Sequence, residues 1–139
     1  MIKARIMIVD DEELILRAYK KELVAVGYEI ICTVSAKEAI EIIKSQVMDI
    51  LLVDLVMPGI NGVEVCKIVK KISPDTEVVL MSGYIDEMKK NWIEFIKAGG
   101  RDFFLRKPLG ERELLDTIKT ILIERGQGEE NVSEDSDNR

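Results

Sequence analysis

Short apolar runs alternate along the chain with longer segments that carry apolar residues at helical spacing. The runs that predict strands are residues 5–9, 28–33, 49–53, 77–81 and 103–106. The segments that predict helices are residues 13–26, 35–44, 86–98 and 111–125, with a further helix that follows the Gly62 loop and ends at about residue 72. Because each strand is followed by a helix, the alternation predicts βαβ units and hence a parallel sheet.

Local signals mark the helix ends and the helix faces that should be buried. Gly27 stops the first helix, and Ser35 with Glu38 forms a capping box at the start of the second. The residues predicted to face the core are Leu14, Ala18, Leu23 and Val26 in the first helix, Met88, Trp92, Phe95 and Ile96 in the fourth, and Leu114, Leu115, Ile118, Ile121 and Leu122 in the fifth. Ile123 falls on the opposite side of the fifth helix from its stripe.

Polar side chains follow four of the five predicted strands. They are the acid pair Asp10-Asp11, Asp54, Ser82 and Lys107. Ligands of open parallel α/β sheets bind beyond the carboxyl ends of the strands, so these groups should converge at one edge of the sheet. In the doubly wound order 2-1-3-4-5 the second strand is an edge strand, which accounts for its uncharged end at residues 32–34. Asp11 and Asp54 then face each other across the switch point between the first and third strands.

These side chains are suited to holding a divalent cation and a phosphoryl group together. The three carboxylates repel one another, while Lys107 compensates one negative charge and a divalent cation compensates two. Oxygen ligands without histidine or cysteine favour Mg²⁺ over zinc. Asp54 supplies a carboxylate that can attack phosphorus, and Ser82 supplies a hydrogen-bond donor. Glu12 and Glu13 are assigned a different role, which is to complement the amino end of the first helix.

Composition narrows the classes of function. The chain has 139 residues, a net charge of −6 and no histidine, with a pI near 4.8. The acidic balance argues against direct nucleic-acid binding, and no apolar run is long enough to span a bilayer, so we expect a cytoplasmic protein. Without histidine the chain cannot carry a phosphohistidine itself. Cys32 and Cys66 lack metal-ligand spacing and are expected to be buried free thiols.

The residues around the strand ends together match a known family pattern. The matching segments are Val9-Asp10-Asp11, Asp54-Leu55-Val56-Met57-Pro58-Gly59-Ile60-Asn61-Gly62, Met81-Ser82-Gly83 and Lys107-Pro108. Over about residues 4–125 the chain resembles the receiver domain of bacterial two-component response regulators. The resemblance implies the five-stranded flavodoxin-like fold with five helices. It divides the sequence into a receiver domain at 1–125 and an acidic tail at 126–139, whose polar composition predicts disorder.

The resemblance assigns roles to the site residues. It implies that Asp54 is the phosphoacceptor and that Asp11 and Asp54 ligate Mg²⁺ together with the Val56 carbonyl. Asp10 would act on the metal mainly through water.

The resemblance also implies a conformational switch. Ser82 and Lys107 would contact the phosphoryl oxygens, with Ser82 moving toward the phosphate. Phe104, the aromatic three residues before the lysine, would turn inward. A cis peptide bond between Lys107 and Pro108 is a further implication, although such bonds are only about 5–6% of X–Pro bonds in folded proteins.

The expected function is a phosphorylation-controlled signalling switch rather than an enzyme acting on other molecules. A sensor histidine kinase or phosphotransfer protein would donate the phosphoryl group, and the chain would catalyse only its own phosphorylation and dephosphorylation. A downstream protein or a second copy would dock on the face made by the fourth helix, fifth strand and fifth helix. Phe104, Ile123 and a partly exposed Trp92 are expected on that face.

Two other classes share some of these features. A Mg²⁺-dependent aspartyl-phosphate hydrolase of haloacid-dehalogenase type needs a second aspartate two residues after the nucleophile, where this chain has Val56. A flavin-binding electron carrier on the same fold needs a Gly/Ser/Thr-rich phosphate loop after the first strand. Here that position holds residues 10–13, which are all acidic and would repel a phosphate.

Overall fold

The computed structural model describes residues 4–126, in which five strands alternate with five helices. The strands are β1 (Arg5–Val9), β2 (Glu29–Thr33), β3 (Ile50–Asp54), β4 (Glu77–Ser82) and β5 (Phe104–Arg106). The helices are α1 (Glu13–Val24), α2 (Ala36–Ser45), α3 (Gly62–Ile72), α4 (Ile85–Lys97) and α5 (Glu113–Glu124). The chain divides between Pro108 and Leu109 into two compact units, and α5 belongs to the second. The predicted tail, apart from Gly126, lies outside the described residues.

The strands form one parallel sheet in the order β2-β1-β3-β4-β5. This order confirms the predicted doubly wound, flavodoxin-like α/β fold, with its switch point between β1 and β3. Every residue of β3 is buried. Side chains of α2, α3 and α4 join those of β1, β3 and β4 in one apolar cluster that includes Phe95. The alternate strand residues Ile8, Leu52 and Val79 are buried as well, so the central strands are apolar at successive positions.

The sheet extends slightly further than the apolar runs indicate. Asp54 and Ser82 are the last residues of β3 and β4 rather than the first residues after them. Parallel pairing continues past the apolar run because the backbone amide of Leu55 donates to the Met81 carbonyl at 2.8 Å. The α1 helix ends at Val24, two residues before the predicted end, and Gly27 follows with a φ of 103°.

The predicted buried face of α1 is wrong in part. Leu14 is 79% exposed and Ala18 is exposed, whereas Leu16 and Leu23 are buried. Leu14 and Leu23 lie nine positions apart, and at about 100° per residue this spacing places them on opposite sides of a helix. The helix therefore buries the face that carries Leu16 and Leu23.

The other predicted faces agree more closely with the structure. All five predicted residues of α5 are buried, and Ile123 is exposed. In α4, Met88 and Phe95 are buried, but Ile96 is exposed, contrary to the prediction.

The two cysteines were expected to be buried free thiols. Both cysteines are free; Cys66 is buried, whereas Cys32 is only half-buried because it lies on the edge strand β2.

Among residues 4–126, no helix has the length and apolar character to cross a membrane.

Candidate active site

The strand register brings the predicted groups to one edge of the sheet. Val9 of β1 is paired with Val53 of β3, so the next positions along the two strands are Asp10 and Asp54. On the other side of β3, Ser82 ends β4 and accepts a hydrogen bond at its carbonyl from the Lys107 amide at 2.9 Å. The structure thus places Asp54 and Ser82 at the ends of β3 and β4. Asp10 directly follows the neighbouring strand β1, and Lys107 directly follows β5.

Lys107 is the centre of the charged group. Its ammonium nitrogen lies 2.5 Å from Asp10 Oδ2, 3.2 Å from Asp54 Oδ2 and 3.7 Å from Glu12 Oε1. The peptide bond between Lys107 and Pro108 is cis, which confirms that prediction. One ammonium group therefore links the ends of β1 and β3.

Burial and neighbouring charges together shift the pKa values of Asp54 and Lys107. Asp54 is only 4% exposed, and its burial, opposed by Lys107 and reinforced by the charge of Asp10, raises its pKa to about 6. Burial lowers the pKa of Lys107, but the hydrogen bond and charge of Asp10 and the charge of Asp54 outweigh it and raise that pKa overall. At neutral pH the site thus holds an ionised Asp54 carboxylate beside a positively charged Lys107.

Glu12 belongs to the acidic cluster, which the sequence reasoning did not predict. Carboxylate oxygens of Asp10, Asp11 and Glu12 lie within 4.8 Å of one another. The Glu12 side chain makes no capping hydrogen bond to α1, although the Glu12 backbone carbonyl accepts from the amides of the first turn. Its amide donates instead to Asp10 Oδ1 at 3.0 Å. The signal for this role was its position directly after the acid pair.

The oxygen groups of this cluster suit a hard divalent cation. Asp54 is not a member of the group of three, but Lys107 connects it to Asp10. Val56 lies in the loop after β3 with its side chain partly exposed. The role of its carbonyl as a metal ligand stays a prediction.

The hydroxyl of Ser82 is held in a local turn. Ser82 is fully buried, and its Oγ accepts a hydrogen bond from the Tyr84 amide at 2.9 Å. The hydroxyl hydrogen is directed to the Tyr84 carbonyl oxygen at 3.5 Å, so donation to a phosphoryl group would replace only this long contact.

Phe104 lies in an aromatic group next to the site. Its ring centroid is 6.3 Å from that of Trp92, which is in turn 5.6 Å from Phe95. Phe104 and Trp92 are half-buried, so the predicted partial exposure of Trp92 is confirmed. Ile93 and Ile96, on the same helix as Trp92, are exposed.

The start of α3 is packed tightly against the end of β3. A Cβ added to Gly62 would lie 2.8 Å from the Asp54 carbonyl oxygen, so only glycine allows this approach. Asn61 and Glu64 complete a capping box at the same helix end. These residues set the path of the loop that carries Val56. The sequence reasoning did not use the Asn-x-x-Glu signal here.

Comparisons with known proteins agree with this geometry. The family model described as response regulator receiver domain matches residues 6–119. A CheY-like response regulator receiver domain protein from Methanospirillum hungatei JF-1 has a crystal structure that superimposes with a TM-score of 0.82 at 31% identity, covering 91% of this chain and 98% of that chain. The response regulator TrrA from Thermotoga maritima, solved in complex with Mg²⁺-BeF, gives a TM-score of 0.74 at 31% identity over 86% of this chain and 99% of that chain.

Curated sequences match as well. The probable transcriptional regulator ycf27 of Porphyridium aerugineum is 30% identical over 122 residues, which are 88% of this chain and 49% of that protein. The uncharacterized transcriptional regulatory protein YrkP of Bacillus subtilis is 31% identical over 110 residues, which are 79% of this chain and 46% of that protein. The chain spans about half the length of these relatives. With the sheet order, the acidic cluster and the lysine at the strand ends, the match shows that this chain belongs to the response regulator receiver domain family.

Proposed function

We propose that this chain is a phosphorylation-dependent signalling switch that accepts a phosphoryl group on Asp54. The observation that carries the proposal is the position of Lys107, whose ammonium group bridges the buried carboxylates of Asp10 and Asp54. A nucleophilic carboxylate beside a fixed cation is the arrangement that phosphoryl transfer needs, because negative charge spreads over the phosphoryl oxygens in the transition state.

The chemical step follows from these positions. An Asp54 carboxylate oxygen forms a bond to phosphorus while the bond between phosphorus and the donor's imidazole nitrogen breaks. Lys107 turns from the carboxylates toward the phosphoryl oxygens and neutralises part of their charge. Ser82 redirects its hydroxyl hydrogen from the Tyr84 carbonyl oxygen to the phosphoryl group. Hydrolysis of the Asp54 acyl phosphate returns the protein to its starting state.

The proposed cofactor is Mg²⁺. Asp11, Asp54 and the Val56 carbonyl would hold it, with Asp10 acting mainly through water. When bound, Mg²⁺ would supply positive charge to the phosphoryl oxygens. The oxygen-only cluster supports this assignment, as does the Mg²⁺-BeF complex of the related TrrA protein.

The phosphotransfer proposal is tested by incubating the protein with acetyl phosphate and measuring its intact mass. With millimolar Mg²⁺ we expect one added phosphoryl group per chain, and with EDTA in place of Mg²⁺ we expect none. An unmodified protein in the presence of Mg²⁺, or equal modification with EDTA, would contradict the proposal.

Mg²⁺ should also raise the melting temperature, because it binds the folded acid cluster and not the unfolded chain. The stabilisation should reach roughly 2.7 kcal/mol at a hundred times the dissociation constant. Asp11→Ala should remove most of this response in a calorimetric melt. Glu13→Ala is the matched control, since Glu13 pairs with Arg17 on the surface of α1 and should leave the response intact. Coincident melting curves of the parent protein with and without millimolar Mg²⁺ would rule out the metal site.

The proposed partners are a histidine kinase or phosphotransfer protein as donor, with the exchange taking place in the cytoplasm. We propose that residues 1–125 form the receiver domain and that residues 126–139 are a polar tail. A downstream protein or a second copy is the proposed recipient of the signal.

The proposed output face includes α4 and β5, which belong to the first compact unit. Phosphorylation would shift Phe104 between outward and inward positions, driven by the new contact between Ser82 and the phosphoryl group. We expect a beryllofluoride analogue of the phosphoryl group to change the backbone amide NMR shifts of residues 86–106. Changes confined to the loops around Asp54 would show that this face does not respond.

A further inference from the structure

The Glu12 carboxylate lies on the solvent side of the charged group at the strand ends. The Asp10 side chain is fully buried and that of Lys107 is 10% exposed, whereas the Glu12 side chain is 61% exposed. Glu12 still reaches the group, because its Oε1 lies 3.7 Å from Lys107 Nζ and its carboxylate is within 4.8 Å of carboxylate oxygens of Asp10 and Asp11. The phosphoryl transfer proposed above does not use this charge.

The backbone fixes the position from which the Glu12 side chain extends. Its amide donates to Asp10 Oδ1 at 3.0 Å, and its carbonyl accepts from the amides of the first turn of α1. The next residue is also a glutamate, but Glu13 pairs with Arg17 at 3.2 Å on the exposed surface of the helix. The two successive glutamates therefore differ in what their charges face, although they are identical in chemistry.

The charges of the site sum to a negative total. Asp10, Asp11, Asp54 and Glu12 contribute four negative charges when ionised, and Lys107 contributes one positive charge. The two positive charges of a bound Mg²⁺ would leave one negative charge in excess, because the other acids are balanced by the metal and the lysine. Without Glu12 the loaded site would be neutral.

Glu12 lies close enough to Asp54 for this excess charge to act on a phosphodonor. Both carboxylates face the same ammonium nitrogen, at 3.7 Å and 3.2 Å, so their oxygens are at most 6.9 Å apart, the sum of the two distances. At about 7 Å in water and at low salt, repulsion between two unit charges lowers a rate by about twofold. A donor with two negative charges is slowed by the square of that factor.

We propose that Glu12 makes the site discriminate against small dianionic phosphodonors, such as free acyl phosphates, by placing an excess negative charge beside Asp54. The inference rests on the proposed function, which it deepens by naming a residue that sets donor selectivity. In the reaction an Asp54 oxygen bonds to phosphorus, and the bond from phosphorus to the donor's oxygen or nitrogen breaks. Glu12 takes no part in this exchange of bonds and acts through its charge on the approaching donor.

Glu12→Gln tests the inference, with Glu13→Gln as the matched control. The parent protein and both variants are phosphorylated at neutral pH with acetyl phosphate, a dianion, and with phosphoramidate, whose protonated nitrogen offsets one negative charge. Mg²⁺ is raised for each protein until the rate no longer increases. Intact-mass measurement over time gives kcat/KM for each donor, and melting curves verify that the variants fold.

We expect Glu12→Gln to raise kcat/KM at low salt by about fourfold for acetyl phosphate and by about twofold for phosphoramidate, because the effect follows the charge of the donor. Most of both gains should disappear at about 1 M salt, where the Debye length falls to about 3 Å. Glu13→Gln should change neither rate, since the Glu13 charge already faces Arg17. Glu12→Asp keeps the charge and should retain the parent's preference between the donors.

The same substitution should weaken the binding of Mg²⁺, since the charge that repels a dianion attracts a dication. We expect the apparent dissociation constant of Mg²⁺ to rise by about fourfold in Glu12→Gln and to stay unchanged in Glu13→Gln. The rise in melting temperature as a function of Mg²⁺ concentration measures it without any phosphodonor. A residue that only supports the start of α1 would not produce a faster reaction together with weaker metal binding.

Several results would overturn the inference. They are an acetyl phosphate rate that does not rise in Glu12→Gln, equal gains with the two donors, gains that persist at high salt or occur equally in Glu13→Gln, and an undiminished response to Mg²⁺. A parent protein that acetyl phosphate and Mg²⁺ leave unmodified would instead overturn the proposed function.

Discussion

Asp54→Asn should abolish phosphorylation of the protein by acetyl phosphate and Mg²⁺. The amide of asparagine is a poor nucleophile, and the Asp54 carboxylate lies at the end of β3, 3.2 Å from the Lys107 ammonium nitrogen. Intact-mass measurement should show one added phosphoryl group on the parent protein and none on the variant.

Asp102→Asn is the control for this experiment. Asp102 is exposed in the segment before β5, so its replacement should leave phosphorylation at the parent level. Full modification of Asp54→Asn under the same conditions would contradict the proposal that Asp54 accepts the phosphoryl group. Loss of modification in the Asp102 variant would show that the assay does not distinguish the acids.

The same Asp54→Asn substitution should stabilise the metal-free protein at neutral pH. Folding raises the Asp54 pKa from 3.8 to about 6, so the folded protein binds this proton more tightly than the unfolded chain does. Ionised Asp54 therefore destabilises the fold above the folded pKa. At 1.36 kcal/mol per pKa unit, this rise in pKa corresponds to a gain of about 3 kcal/mol in the free energy of unfolding of Asp54→Asn at pH 7.5.

The stability difference between Asp54→Asn and the parent protein should depend on pH. The gain in stability from Asp54→Asn should grow between about pH 4 and pH 6 and be almost absent below pH 4, where Asp54 is protonated in both states. Denaturant unfolding with EDTA across this range measures it. A variant that is less stable than the parent at pH 7.5, or a gain of the same size at all pH values, would contradict the raised pKa.

The fold and most of the site were predictable from local pattern. Alternating apolar runs and helical segments specify a parallel sheet, because only a strand buried on both faces is apolar at every position. Asp10, Asp11, Asp54, Ser82 and Lys107 were identifiable because each stands at the end of such a run. Their convergence then follows from the geometry of parallel strands and required no knowledge of side-chain contacts.

The errors occurred where neighbouring elements decide the outcome. Several faces of α1 carry apolar residues, so the sequence left its phase ambiguous, and packing buried Leu16 instead of Leu14. The part played by Glu12 depends on the direction its side chain takes after β1, which the pattern of residues does not contain. The close approach of Gly62 to Asp54 likewise requires the path of the loop between them.

By itself, the sequence determined the order of elements, the positions of the strand ends and the types of chemical group placed there. These properties depend on hydrophobic periodicity and on residues adjacent in the chain, so short segments of the sequence are enough to predict them. Only the tertiary structure decided that Lys107 bridges Asp10 and Asp54, that burial raises the pKa of Asp54 to about 6, and that the Glu12 carboxylate reaches Lys107. Distances and burial depend on residues far apart in the chain, and they exist only once the strands are paired and the helices are packed.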